Sequence, residues 1–400
     1  MGLLRVSSIF WILAIGSPFV SRAVPTDRKG EVSVNGLEWG LALVVVAACA
    51  NAAFALPMKF VRRWEWENTW LAWSLFALVL LPLATALISI PTPVAVYRQV
   101  GAATVAWVLG CGFGWGCAQV LFGLAMDSIG VGLAFSIVLG VSAAVGSLVP
   151  LLRISAMGNR APLFWSMLPS IGLVILGVLV CAIAGSLREK AQGNRVERKR
   201  SFALGFSMAL GSGVCAAFMN VGVALGAPLA HSAAAHGAAT QNSVNAIWLP
   251  LLAAGAVPNL GYCLFLFLQR GTWSKFRSSD TPFNLSLAGV MAILWFFSTA
   301  LYGSATRLLG DLGTVVGWPA FMSLIVIIAS VLGMAIGEWK RSGQRPVRLQ
   351  LAGMCILVLA VIALSRAQIA NTPPPSKSSQ TAITAGASVG KAEIGGEHLR

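Results

Sequence analysis

Apolar residues run along this chain in unbroken stretches, without the alternation of a half-buried strand or the polar face of a surface helix. A helix needs about 20 such residues to cross a hydrocarbon core about 30 Å thick. On that length the pattern predicts helices over 38–57, 70–90, 101–125, 129–152, 162–185, 202–228, 243–268, 285–306, 313–337 and 348–368. Short polar segments separate them, and the expectation is an all-α membrane protein with ten transmembrane helices.

A second periodicity overlies the first. The run WGCAQVLFGLAMDSIG, Trp115 to Gly130, returns 180 positions later as WFFSTALYGSATRLLG, Trp295 to Gly310. Without a gap, Trp115 matches Trp295, Phe122 matches Tyr302, Gly123 matches Gly303, Ala125 matches Ala305, Ile129 matches Leu309 and Gly130 matches Gly310. The copies fall in the third and eighth predicted helices, an odd number of crossings apart. The second half therefore sits upside down relative to the first, as two inverted five-helix repeats. The expected division is 1–36 as a signal-peptide-like or anchor segment with a linker, 37–186 as the first repeat, 187–201 as a basic cytoplasmic linker, 202–368 as the second repeat and 369–400 as a tail.

Composition agrees with the pattern: 57% hydrophobic residues, 10% charged residues and a mean hydropathy of +0.80 do not suit a soluble core. The net charge of +15 is spread over short loops, so it argues for topology and against a nucleic-acid partner. Lys and Arg concentrate in the loops after the odd-numbered helices, which places those loops in the cytoplasm and both ends of the ten-helix body outside. At the start, Arg5 precedes an apolar run from Ser8 to Val20, followed by Ser21 and Ala23. That is the shape of a signal-peptide core with a small-x-small cleavage site, with an uncleaved anchor or an upstream false start as alternatives. The tail from Asn371 is rich in Pro, Ser and Ala and is expected to be disordered.

The seven cysteines fall in predicted spans without a CxxC spacing, and the three histidines, His231, His236 and His398, lie near no Cys or acidic cluster. No metal site, cofactor or disulfide framework is implied. Glycines four apart (Gly110 and Gly114, Gly112 and Gly116, Gly222 and Gly226, Gly313 and Gly317, Gly333 and Gly337) suit close helix packing.

Candidate chemistry is a short set of uncharged groups inside the spans: Asn51, Gln119, Asn220, Asn259, Ser298, Thr299 and Tyr302, beside Trp115, Trp295 and Trp318. Amides and hydroxyls next to indole rings suit a neutral polyhydroxylated ligand, whose hydroxyls need hydrogen bonds while its C–H face stacks on a ring. Taken singly, each amide can equally bond a neighbouring helix. None of the thirteen acidic residues falls mid-span; Glu38, Asp127, Asp311 and Glu338 mark helix ends. A Ser, His and acid set within the spans, as an intramembrane enzyme needs, is absent.

The residues also carry a resemblance. PMKFVRRWEWENTW after the first helix, FGLAMDSIGVG through the third and fourth, PNLGYC in the seventh, Trp295 to Tyr302 in the eighth and GEWKRSGQRPV from Gly337 to Val347 resemble the L-rhamnose–proton symporter family of the drug/metabolite transporter superfamily, across roughly 37 to 368. The resemblance implies a ten-helix carrier of the cytoplasmic (inner) membrane that imports L-rhamnose with a proton. The family pattern has Asn, Asn and Tyr where this chain has Gln119, Leu121 and Phe122, and a basic residue where it has Asp127. Those departures leave open a change of sugar or of coupling.

The resulting expectation is a secondary transporter of a neutral sugar working by alternating access. Trp115, Gln119, Trp295, Tyr302 and Trp318 are the leading substrate-binding residues, with Asn51, Asn220 and Asn259 second. Glu338, His231 and His236, the histidines read as lying in an external loop, are the proton-coupling candidates. Expected partners are the sugar, the proton and membrane lipid, with a homodimer possible. A carrier of another small molecule and a membrane protein without transport activity are the alternatives.

Overall fold

The computed structural model describes residues 34–158, 161–193, 201–340 and 342–371. The signal-like run, residues 194–200 of the basic linker and the tail beyond Asn371 lie outside the described residues. Among the described residues there is helix and no strand.

Ten helices are long and apolar enough to cross a membrane: α1 Glu38–Phe60, α2 Trp66–Ser89, α3 Ala102–Ile129, α4 Leu133–Ser155, α5 Pro162–Ala191, α6 Phe202–Ala235, α7 Asn245–Arg270, α8 Thr281–Leu308, α9 Gly313–Ala335 and α10 Gln344–Ala370. Local chemistry sets their ends. At α2 the Asn68 side chain accepts the Glu65 backbone N–H at 3.1 Å, and at α6 Ser201 Oγ accepts the Leu204 N–H at 3.3 Å. The glycines that close both repeat copies, Gly130 and Gly310, hold φ of 89° and 70°, a conformation that a side chain would strain.

The connections are more ordered than the sequence pattern predicts. Pro93–Val100 forms a short helix between α2 and α3, and the stretch read as an external loop at 229–242 begins as helix Ala227–Ala235, an extension of α6 that carries His231. Both start with a proline in the first turn, which fixes φ where no amide donor is needed. They pack together, Ser232 Oγ donating to Gln99 Oε1 at 2.7 Å. Tyr97, on the first of them, donates its hydroxyl to the Ala246 carbonyl at 3.0 Å. Pro250, four residues on in α7, lacks the N–H that would otherwise take that carbonyl. Burial pushes the Tyr97 phenol up to about 12.

In the bundle α3 and α4 pack on α6, while α8 and α9 pack on α1; α5 pairs with α10, and α2 lies against α7 and α8. Shifting every helix by five converts α3–α6 into α8–α1, α4–α6 into α9–α1 and α4–α5 into α9–α10. That exchange is consistent with two repeats. Glycine allows the closest approach: an added Cβ at Gly112 or Gly116 of α3 would lie 2.0 Å from the Leu251 carbonyl oxygen or 2.3 Å from that of Gly255 in α7. Gly114, on another face of α3, abuts Phe218 of α6 at 2.4 Å by the same measure. Gly110 meets nothing within 4 Å, so the four-residue spacing there marks no contact.

Candidate functional site

The two repeat tryptophans meet. Trp115 of α3 and Trp295 of α8 are 4% and 7% exposed and stack with ring centroids 5.5 Å apart at 28°. Trp73 of α2 stands edge-on to Trp295 at 5.3 Å, and Trp70 lies 4.4 Å from Trp73. Trp66 stacks on Trp70 at 5.1 Å, giving α2 an aromatic face at positions 66, 70 and 73. The face runs from the exposed end of α2 to the buried Trp295. Sequence reading missed this ladder, although the four- and three-residue spacing of its tryptophans is the signal that could have found it.

A second cluster lies further along α8. Tyr302, 1% exposed, donates its hydroxyl to Asn220 Oδ1 of α6. Asn220 Nδ2 donates to the carbonyls of Gly146 in α4, at 2.7 Å, and Thr314 in α9, at 2.8 Å. Trp318 Nε1 donates to the Ser142 carbonyl at 3.0 Å, and its ring is edge-on to Tyr302 at 5.5 Å. Thus three predicted residues, Asn220, Tyr302 and Trp318, form one network that ties α4, α6, α8 and α9 together.

The remaining amides hold helices. Asn51 donates to Ser298 Oγ at 3.2 Å, joining α1 to α8, while Thr299 bonds within its own helix to the Trp295 carbonyl at 3.0 Å. Asn259 donates to the Gly255 carbonyl at 2.9 Å and accepts Trp70 Nε1–H at 2.9 Å. Gln119 differs: it is half-buried one turn beyond Trp115 and has no hydrogen-bond partner among the described residues. At the next turn, a Cβ on Gly123 would meet nothing within 4 Å. The equivalent Gly303 would meet Trp248 Nε1 at 2.7 Å. Trp115, Gln119 and Gly123 therefore follow one another along one stripe of α3, with hydrogen-bonding capacity at Gln119 and open space beside Gly123.

The three proton-coupling candidates are not brought together. Glu338 follows α9 and pairs with Lys59 of α1 at 2.8 Å and Arg188 of α5 at 3.1 Å. Burial opposes its charge, yet the hydrogen bond and charge of Lys59, with those of Arg188, hold the carboxyl below the usual range. His231 and His236 stand at the opposite end of the bundle, His236 Nδ1 lying 2.8 Å from the Ser232 carbonyl. The acid that sequence reading passed over is Glu67, which lies in the first turn of α2 and is fully buried. It accepts Thr272 Oγ1–H at 2.7 Å and pairs with Arg270 at 3.2 Å, fastening α2 to the end of α7.

This geometry is that of an uncharged aromatic and amide core inside a ten-helix membrane bundle, and the comparisons with known proteins agree with it. The model of the L-rhamnose-proton symport protein family matches residues 33–368. An L-rhamnose-proton symporter of Cronobacter sakazakii is 26% identical over 342 residues, covering 82% of this chain and 96% of that protein. Those of Mannheimia succiniciproducens and Pectobacterium atrosepticum are 27% and 28% identical, each covering 79% of this chain and 93% of the relative. Over residues 33–368, which hold all but the last residues of its described helical body, this chain belongs to the L-rhamnose-proton symport protein family.

Proposed function

We propose that this protein imports L-rhamnose, or a closely related neutral deoxyhexose, together with a proton across the cytoplasmic membrane. The observation that carries the reading is the stacked pair Trp115 and Trp295, with the unpartnered Gln119 amide one turn away and no charged residue among them. Indoles offer a face to sugar C–H groups and the amide offers both a donor and acceptors to hydroxyls. Relatives of nearly full matching length are named L-rhamnose-proton symporters.

Alternating access supplies the mechanism, with the two repeats as inverted halves and the loops after the odd-numbered helices in the cytoplasm. In that orientation the Asn220–Tyr302–Trp318 network closes the outer half of the bundle, and the space beside Gly123 belongs to the inner half. The conformation is then inward-facing: the sugar enters from outside when the network opens, and leaves past Gln119 and Gly123 when it has reformed. Substrate and proton couple when both together favour the switch more than either alone. Glu338 stays ionised while paired to Lys59 and Arg188. It thus acts in this reading as a tether between α1, α5 and α9, and carries a proton only if that tether opens. His231 and His236 remain substitutions of choice for the coupling step.

The test is uptake of labelled L-rhamnose by cells lacking their own rhamnose carrier and expressing this chain, with and without a protonophore. Uptake that collapses with the protonophore supports the reading. Absence of uptake despite confirmed membrane insertion removes L-rhamnose as the substrate.

A further inference from the structure

Trp73 and Ser74 are neighbours in α2, 1% and 0% exposed, and neither the indole Nε1–H nor the hydroxyl has a hydrogen-bond partner. Buried polar groups are nearly always paired, because an unmade bond leaves the cost of desolvation uncompensated. Several buried or half-buried helical serines in this protein return the hydroxyl to the carbonyl four residues earlier, as Ser128, Ser147, Ser323 and Ser330 do, while Ser142 and Ser155 leave it unpaired. Ser74 leaves it unpaired too.

The backbone changes at this point as well. Directly after Ser74 the helix widens into a π-helical stretch, Leu75–Leu80, before Pro82, whose missing N–H disfavours an ordinary turn. Turns of that kind recur where a helix must re-aim side chains for function. Around it, Trp73 sits edge-on to Trp295 at 5.3 Å and 6.0 Å from Phe54 of α1, so it forms a third wall beside the stacked pair Trp115 and Trp295. Three observations therefore coincide at one level of α2: two unpaired buried donors, a widened backbone and contact with the aromatic pair. No repeat partner marks the position, since Ala253 stands 180 residues on.

We propose that Trp73 is a sugar-recognition residue, its ring closing the third side of the site and its Nε1–H reserved for a hydroxyl of the bound sugar. Ser74 sets a second unpaired hydroxyl at the same level. The inference rests on the reading that the protein carries a neutral sugar, and it names the group that reads the sugar's hydroxyl pattern.

The experiment uses the full chain in lipid nanodiscs and proteoliposomes, as wild type and Trp73→Phe, with L-rhamnose as the probe. Phenylalanine keeps an aromatic wall and removes the donor. The apparent KM for L-rhamnose is expected to rise about tenfold, as for loss of one hydrogen bond in a dry site, with the maximal rate nearly kept. Thermal unfolding without sugar should change little, because removing the unpaired buried donor offsets the packing lost with the smaller ring, while the stabilisation by added L-rhamnose should shrink. A variant that unfolds earlier without sugar yet keeps the wild-type KM makes the indole merely structural and overturns the inference. Should Trp73→Phe fail to fold, 5-fluorotryptophan placed at position 73 reports instead: a resonance that moves on adding L-rhamnose supports the proposal, and one that does not overturns it. A wild type that neither binds nor carries L-rhamnose removes L-rhamnose as the substrate and overturns this inference for that sugar. A functional wild type beside an unaffected Trp73→Phe defeats this inference alone.

Discussion

Trp115 and Trp295 occupy the same position in the two copies of one repeated motif, and their rings stack 5.5 Å apart in the middle of the bundle. One motif thus contributes both faces of one contact, from α3 and from α8.

That contact can be read by conservative change. Trp→Ala in a core costs about 3–5 kcal/mol in stability, so alanine would confuse folding with binding. Trp115→Phe and Trp295→Phe keep an aromatic ring, and an aromatic pair contributes about 0.5–1.5 kcal/mol. Each is expected to raise the KM for sugar uptake by up to about tenfold at equal membrane expression. The double variant should show a loss different from the sum of the single losses, because the rings touch. Uptake kinetics on the four proteins give the answer.

The equivalent residues Phe122 and Tyr302 sit in unequal surroundings. Tyr302 is buried and hydrogen-bonded to Asn220; Phe122 is half-buried and meets Phe135 at 5.8 Å. Tyr302→Phe leaves Asn220 Oδ1 unpaired at a cost of about 1–3 kcal/mol, and this weakens the closure of that half. A cysteine placed at Thr314, in a background without native cysteines, should react faster with a membrane-impermeant thiol reagent from outside once Tyr302 is Phe. An unchanged rate would remove this network from the gate.

Helix spacing gives a paired prediction. Gly112→Ala puts a methyl 2.0 Å from the Leu251 carbonyl oxygen, and α3 must part from α7. Overpacking of this kind costs about 1–3 kcal/mol, so thermal unfolding of the purified protein should begin several degrees lower. Gly123→Ala meets nothing within 4 Å and should leave the unfolding temperature unchanged or raise it.

Glu338 predicts a pH dependence that should not occur. Its carboxyl is held below the ordinary value of 4.5 in the folded protein, so the stabilisation from Lys59 and Arg188 is full above that value. It is lost only as pH falls through the lowered folded value. Between about pH 5.5 and 8 the group stays charged, and Glu338→Gln should lower stability while leaving the shape of the uptake–pH curve intact over that range. A curve flattened by the substitution would make Glu338 the proton carrier.

The ten spans and the equivalence of Trp115 and Trp295 were legible in the sequence, because apolar length and a gap-free repeat are local signals; that the two rings stack was not. Helix neighbours were not: nothing in the order of spans says that Asn220 of α6 meets α4, α8 and α9 at once. Glu67 was passed over for a related reason. Its neighbours Glu65 and Trp66 are exposed, so the segment reads as a polar loop, and only the fold brings Thr272 and Arg270 over it. The short helices at Pro93–Val100 and Ala227–Ala235 escaped because each is too short to show an apolar period, and the π-helical stretch after Ser74 leaves no compositional trace. The glycine spacing was largely informative: Gly112, Gly116, Gly222, Gly226 and Gly313 stand at close approaches as it predicts, while Gly110 faces open space.

The most direct measurement is the external pH of a weakly buffered suspension of proteoliposomes containing the purified chain when L-rhamnose is added. Proton-coupled import predicts an immediate alkalinisation that scales with sugar concentration and vanishes with a protonophore. Uptake of L-rhamnose with no accompanying proton movement, or no uptake at all by correctly inserted protein, would contradict the account.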